Sequence, residues 1–338
     1  IDVCYVKFEY NKQYSFEILS AHTYSYSDDW KLKLQSAFNG DEDYLNKLDI
    51  EYGIFIGDIV NQFCLDNSVK EIDFIASHGH TIFHKPEEGF TLQIGNGQVI
   101  ADTTQMTVIC DFRSQDVNLG GQGAPLVPIG DELLFFNYDY CLNLGGFANI
   151  SFRERDKRLA FDICPVNIVL NYYTNKINLE YDNKGVLASS GKVNKELLDH
   201  LNELEFYYRS YPKSLGLEWV IEFIYPLIDS YNLKTKDILR TFTEHVAYQI
   251  SEIIQHNSKI LITGGGAFNN FLIKRIERYL NQRIELPKME LIDYKEALIF
   301  AFLGLLRLEN KVNCLKSVTG ASIDHSSGKI FIPMGLSQ

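Results

Sequence analysis

The chain has 338 residues, enough for about two domains. Its 32 Lys and Arg against 44 Asp and Glu leave a formal net charge of −12, which argues against a nucleic-acid binder with its usual basic face. Charged residues at 22% and hydrophobic ones at 46% are the mix of a globular protein with ample core material, and no run of 18 apolar residues predicts a membrane span.

In chain order, Asp2 to Phe8 and Tyr14 to Ala21 read as a hairpin, and 28–38 and 41–66 as helices. The second helix carries Leu45, Leu48, Tyr52, Phe55, Ile56, Ile59, Val60 and Phe63 on one face. Residues 72–77 predict a short buried strand. Residues 78–131 are rich in Gly and Pro around short strands, a composition that often carries function. A second hairpin spans Tyr140–Leu144 and Ala148–Phe152, and Leu159–Asp162 returns as a strand. Pro165 suits the first turn of a helix reaching about 176. Helices over 194–202, 218–231, 235–257 and 269–281 follow, with strand Lys259–Thr263 between the last two. A long helix covers 293–310.

Short antiparallel strands thus precede alternating α and β elements twice. The pattern predicts two related α/β domains, 1–127 and 128–338, with an interdomain cleft and a tail, 318–338, packed back on the first domain. The six cysteines are far apart, which excludes a CxxC site and fits reduced thiols in a cytoplasmic protein.

Several constellations could carry chemistry. Gly145-Gly146, flanked by Asn143 and Asn149, is either a hairpin turn or an anion-binding nest. Gly264-Gly265-Gly266 lies between a strand and a helix that Asn269 or Asn270 can cap, where bare backbone could seat a nucleotide. No GxxxxGK[ST] motif is present. Asp162, at a strand end, is either a helix cap or a general base. Arg113 could clamp an anionic group, or pair with Asp111 or Asp116. His78, His80 and His84 share one loop. Hydrogen bonding to backbone or to a polar substrate is favoured for them over zinc.

Together these segments resemble the anhydro-N-acetylmuramic acid kinase family of the hexokinase, Hsp70 and actin superfamily. The resemblance rests on Ser77-His-Gly-His-Thr-Ile-Phe-His84, Asp111-Phe-Arg113, Gly120-Gly-Gln-Gly-Ala-Pro-Leu-Val-Pro128, Asn143-Leu-Gly-Gly-Phe-Ala-Asn-Ile150, Phe161-Asp162 through Pro165 and Asn167, and Thr263-Gly-Gly-Gly-Ala-Phe-Asn269. It implies two actin-like (ribonuclease H-like) domains and ATP with Mg²⁺. The implied substrate is 1,6-anhydro-N-acetylmuramic acid and the product N-acetylmuramic acid 6-phosphate, in peptidoglycan recycling; no nucleic acid or membrane partner is implied, and a homodimer is allowed. Carried over residue by residue, Asp162 is the base on water. Asp2, Asn143, Gly145, Gly146, Asn149, Gly264, Gly265, Gly266 and Asn269 face ATP, and Mg²⁺ rides on its phosphates with Asp2 available to it. His78, His80, Thr81, Arg113, Gln122 and Asn167 face the sugar. The family's first phosphate loop should end at Asp2, so about 15 upstream residues, a strand and a loop, are expected. His80, Ile163 and Cys164 depart from the family's usual Gln, Thr and Gly. Two other classes stay open: a glycoside hydrolase pairing Asp162 with an acid such as Asp111, and a non-catalytic sugar or nucleotide sensor.

Overall fold

A computed structural model describes residues 1–335. The chain forms two compact units, the first holding Ile1–Leu134 together with the segment from Tyr294 onward, the second Phe135–Asp293. The sequence reading instead began the second domain at 128 and kept 294–317 in it. Helix Pro128–Leu134 belongs with unit 1 because its buried Asp131 meets Lys295 at 2.6 Å. The side chain of Ile299 also fills the space a Cβ on Gly130 would need.

Unit 1 begins with an antiparallel hairpin of β1 (Asp2–Asn11) and β2 (Gln13–Thr23). Helix Asp28–Ala37 follows, its start fixed by Ser27 Oγ accepting the Trp30 N–H at 3.2 Å. Helix Glu42–Asp66 starts at Asp41, whose carboxylate takes the Tyr44 N–H, with acidic residues in the first turn to suit the helix dipole. Of its predicted face, Leu48, Tyr52, Ile56, Ile59, Val60 and Phe63 are buried. A Cβ on Gly57 would lie 2.6 Å from the Thr103 side chain, so the small residue lets helix Gly97–Thr104 cross closely. Between the two helices, β3 (Ile75–Ala76) is shorter than predicted, and β4 (His80–Lys85) pairs with β5 (Phe90–Ile94). β6 (Val108–Cys110) runs parallel to β3. The Gly- and Pro-rich stretch is thus largely regular structure, with Gly97 and Gly130 inside helices and the other glycines in the connections.

In unit 2, β7 (Tyr140–Leu144), β8 (Phe147–Glu154) and β9 (Lys157–Pro165) form a meander. Pro165 ends β9 rather than opening the helix, which is Asn167–Asn175. After further helices, including Thr235–Ser251, β10 (Ile260–Thr263) lies parallel to β7 and leads to helix Asn270–Leu280. The order β10-β7-β8-β9 places the fourth strand beside the first of the meander, the arrangement expected of a ribonuclease H-like, actin-like unit. Leu142, Leu144 and Ile262 on its strands and Phe242 and Val246 on the covering helix are fully buried. The helix expected over 218–231 is broken by a wide π-type turn at Val220–Ile224, next to Pro226, which has no N–H to give the preceding turn. β11 (Lys329–Phe331) returns to unit 1, antiparallel to β6.

Candidate functional site

Unit 2 gathers most of the phosphate-side residues at one end of its sheet. Strand register places Thr263 beside Asn143, Asn143 beside Asn149, and Asn149 beside Asp162, a polar row across four strands. Cross-strand partners share a face, so one face carries a hydroxyl, two amides and a carboxylate in line. The Thr263 hydroxyl is buried with no hydrogen-bond partner among the described residues. The two glycine turns flank this row. A Cβ on Gly264 would sit 2.5 Å from Asn143 Oδ1, and one on Gly266 would sit 2.7 Å from the Leu144 Cβ.

Asn167 ties the turns together. Its Nδ2 donates to Leu144 O at 3.1 Å and to Gly145 O at 2.8 Å, and it lies 3.6 Å from a Cβ built on Gly266. The amide assigned to the sugar therefore braces the phosphate-side turn. Backbone N–H groups of Val166 and Ile168 close on Gly146 O, joining the turn to the start of helix Asn167–Asn175. Of the two candidate caps, Asn269 starts helix Asn270–Leu280, accepting the Leu272 N–H at 3.0 Å.

Asp162 is not a helix cap. It lies within β9, and the helix that follows has no side-chain cap at its start. The ladder slips at this point: Ala148 faces Cys164 while Asn149 faces Asp162, so Ile163 is an extra residue in β9. Such a bulge re-aims a side chain and is common beside functional sites. The Asp162 N–H is released from the sheet and donates to Lys213 O at 3.0 Å, and Leu215 N–H donates to Asp162 Oδ2 at 2.8 Å. Burial raises the proton affinity of this carboxyl above the ordinary aspartate range, partly offset by the Leu215 bond.

Unit 1 holds the other residues expected to face the sugar, His78, His80, Thr81, Arg113 and Gln122. Arg113 Nε and Nη2 donate to His78 Nε2 at 3.0 and 2.8 Å, and Nη1 donates to Gly123 O at 2.6 Å. The Arg–Asp pair weighed from sequence does not form. Asp111 instead meets Lys329 at 2.7 Å, and Asp116 takes the Gly123 N–H. The Lys329 and Ser114 bonds outweigh burial and hold Asp111 below its ordinary value, which makes it a poor general acid. His78 packs against Phe300, with ring centroids 4.5 Å apart and the rings tilted by 52°. Burial, then the Arg113 charge, pull His78 down to about 4. It is therefore a neutral acceptor at physiological pH, with its proton on Nδ1. His80 sits among Tyr26 and Tyr52, and burial lowers its proton affinity. Thr81 accepts a long bond from Gln93. The Gln122 side chain is exposed, while its N–H is fixed by Thr319 O at 2.8 Å. The three histidines do not share a loop: His80 and His84 lie on β4, where His84 meets Thr91, and His78 precedes the strand. Asp2 accepts the Thr23 hydroxyl at 2.6 Å and lines a cavity of about 750 Å³ that also reaches Tyr26, Tyr52, His78 and Glu296.

One consequence can be measured directly. His78 stays neutral in the folded state but not in the unfolded chain, whose histidine takes a proton near its ordinary value of 6.5. The unfolded state then binds more protons, so stability is lost as pH falls from about 6.5 toward 4. A His78→Gln variant, which keeps an acceptor, should show a shallower acid decline in melting temperature. NMR of the wild type should show a His78 ring that does not titrate between about pH 5.5 and 8.

Glycine turns at the end of a ribonuclease H-like sheet, level with a desolvated carboxylate, are the equipment of an ATP-dependent sugar kinase. At Gly146 the nearest atom to a built Cβ is 3.9 Å away, which leaves its backbone approachable by a ligand such as a nucleotide's phosphates. The family model for anhydro-N-acetylmuramic acid kinase matches residues 1–333. Among curated relatives, the anhydro-N-acetylmuramic acid kinase of Pseudomonas syringae pv. tomato is 38% identical over 78% of this chain and 76% of its own. Those of Saccharophagus degradans and Vibrio cholerae are 33% and 32% identical, covering 89% and 94% of this chain and 87% and 92% of theirs. The chain belongs to the anhydro-N-acetylmuramic acid kinase family. Solved structures resemble it loosely: component A of the (R)-2-hydroxyglutaryl-CoA dehydratase of Acidaminococcus fermentans shares 15% identity at a TM-score of 0.35, over 63% of this chain and 75% of that one. Among the described residues no helix is long and apolar enough to cross a membrane.

Proposed function

We propose that Asp162 is the general base of this kinase and that the polar row Thr263–Asn143–Asn149–Asp162 is the observation that supports it. The substrate is 1,6-anhydro-N-acetylmuramic acid, a bicyclic acetal whose bridging O6 must leave C1. Asp162 accepts a proton from the water that attacks C1, and the C1–O6 bond breaks as the new C1–O bond forms. ATP, when bound with Mg²⁺, supplies the phosphoryl group that ends on O6 and so takes the place of the acid that a glycosidase would need. Gly145 and Gly146 offer backbone to the phosphates, Gly264–Gly266 and Asn269 the nucleotide seat, and Asp2 a carboxylate for Mg²⁺. Arg113, oriented by His78 and Gly123, contacts the sugar, with His80, Thr81 and Gln122 as further contacts. The wide spacing of the six cysteines supports a reducing, cytoplasmic setting, where ATP is available.

The test is ADP release with and without the anhydrosugar, run in ¹⁸O-labelled water. The expected product, N-acetylmuramic acid 6-phosphate, carries the label at C1 and none on O6 or the phosphate. ATP-independent ring opening would point to a hydrolase, and label in the phosphate would place water at phosphorus rather than at carbon.

A further inference from the structure

Three side chains outside the proposed reaction meet in the interior of unit 1. Asp116, Cys314 and His325 each bring a donor atom within 4.8 Å of the other two. They are 0%, 2% and 6% exposed. Helix Ser114–Asn118 carries the carboxylate. An isolated antiparallel bridge carries the other two, closed by Cys314 N–H to His325 O at 3.1 Å and His325 N–H to Cys314 O at 3.2 Å. Asn313 pins this bridge by accepting the Ser327 N–H and donating to Ser327 O and Leu303 O.

His325 supplies the independent sign of a ligand. Its Nδ1 lies 3.2 Å from Ile323 O, a bond that needs a proton on Nδ1, so in the neutral ring Nε2 is the acceptor. That Nε2 is buried without a hydrogen-bond partner among the described residues, its side chain is 3% exposed, and Asp116 Oδ1 stands 3.6 Å away. Metal-binding histidines are commonly held this way, one nitrogen on a backbone carbonyl and the other on the ion. Asp116 is held with equal care: Thr319 Oγ1 donates to Oδ1 and Gly123 N–H to Oδ2, both at 2.7 Å.

We propose that Asp116, Cys314 and His325 bind one divalent cation of the zinc class. Mixed oxygen, sulfur and nitrogen donors suit a borderline cation and not Mg²⁺ or Ca²⁺, which take oxygen. Charge agrees: a carboxylate, a thiolate and a neutral imidazole around a dication sum to zero, the state a buried site tolerates. Three protein ligands leave the fourth position to water or to the second carboxylate oxygen. Donors around tetrahedral zinc stand roughly 3.3–3.8 Å apart, and these three already lie within 4.8 Å of one another. Without the ion, burial and then the Asp116 charge keep the Cys314 thiol protonated. Binding therefore forms a metal–sulfur bond and releases the thiol proton to solvent. The ion would tie helix Ser114–Asn118, which follows Arg113, to residues 313–327.

The whole chain, stripped by chelator and dialysed, is titrated with Zn²⁺ or Co²⁺ alone. One equivalent should bind, with about one proton released, a raised melting temperature, and a thiolate-to-cobalt charge-transfer band. Cys314→Ser, close in size, should lose the band, and His325→Gln should weaken affinity by at least about tenfold. Absence of stoichiometric uptake by the wild type overturns the proposal. So does uptake without the thiolate band, or a band that persists in Cys314→Ser.

Discussion

Asp162→Asn is expected to lower turnover by about 10²–10⁴, the usual cost of losing a general base, with ATP affinity nearly unchanged. The amide keeps the side chain's shape, and its oxygen can still accept the Leu215 N–H that holds Asp162 in place. What it cannot do is take a proton from water. The pH profile should agree: burial raises the proton affinity of Asp162, so activity should fall on acidification at a higher pH than an ordinary carboxylate would give. The stability sign is opposite to that of a salt-bridged aspartate. With a raised folded-state value, the charged form burdens the fold above that value, and stability is gained as pH falls through it. At neutral pH the asparagine variant should therefore melt no lower than the wild type, and higher if desolvation dominates. Turnover close to wild type, with an unchanged melting temperature, would return Asp162 to a bracing role for the 213–215 loop.

How far the sequence reveals these features depends on whether the determining contacts are local. Helix Glu42–Asp66 was legible because its apolar period and its Asp41 start signal are written within one segment. The Gly264 turn and its Asn269 cap were legible for the same reason. Asp162 was ambiguous because a carboxylate three residues before Pro165 has the same local pattern as a cap or as a strand residue. Only the extra residue in β9 separates the two, and a bulge is defined by the partner strand. The Thr263–Asn143–Asn149–Asp162 row depends on the register of four strands spread over more than a hundred positions, so Thr263 stood out only as the edge of a motif. Arg113 was read against nearby acids, whereas its acceptor is His78, 35 positions upstream. Unit 1 takes back the chain from Tyr294 because Lys295 pairs with Asp131 and β11 with β6, contacts that no local pattern announces.

The other large effect is expected at Gly264. Its backbone, at φ 81° and ψ 163°, lies in a region essentially reserved for glycine. A Cβ there would stand 2.5 Å from Asn143 Oδ1 and 2.9 Å from the Leu144 carbonyl carbon. The amide could swing away, but Leu144 is fully buried in the sheet and its backbone cannot. Gly264→Ala thus combines backbone strain with overpacking, about 2–5 kcal/mol together. In a unit of this size that is a melting-temperature loss of roughly 5–15 °C, and it should distort the row through Asn143 and weaken ATP binding as well. Gly146→Ala is the counterpart that separates fold from function. Neither Gly145 nor Gly146 has a left-handed backbone, so the turn is not of the primed types that demand glycine. A Cβ on Gly146 would meet only Ile168, at an ordinary 3.9 Å. Geometry and packing therefore leave Gly146 free to be alanine, and what remains to require glycine is the approach of a ligand to bare backbone. Gly146→Ala should melt with the wild type yet bind ATP at least about tenfold more weakly, a loss of ~1.4 kcal/mol, as measured by calorimetry. Wild-type affinity in that variant would move the phosphates away from this turn and leave Gly145-Gly146 as a hairpin connection only.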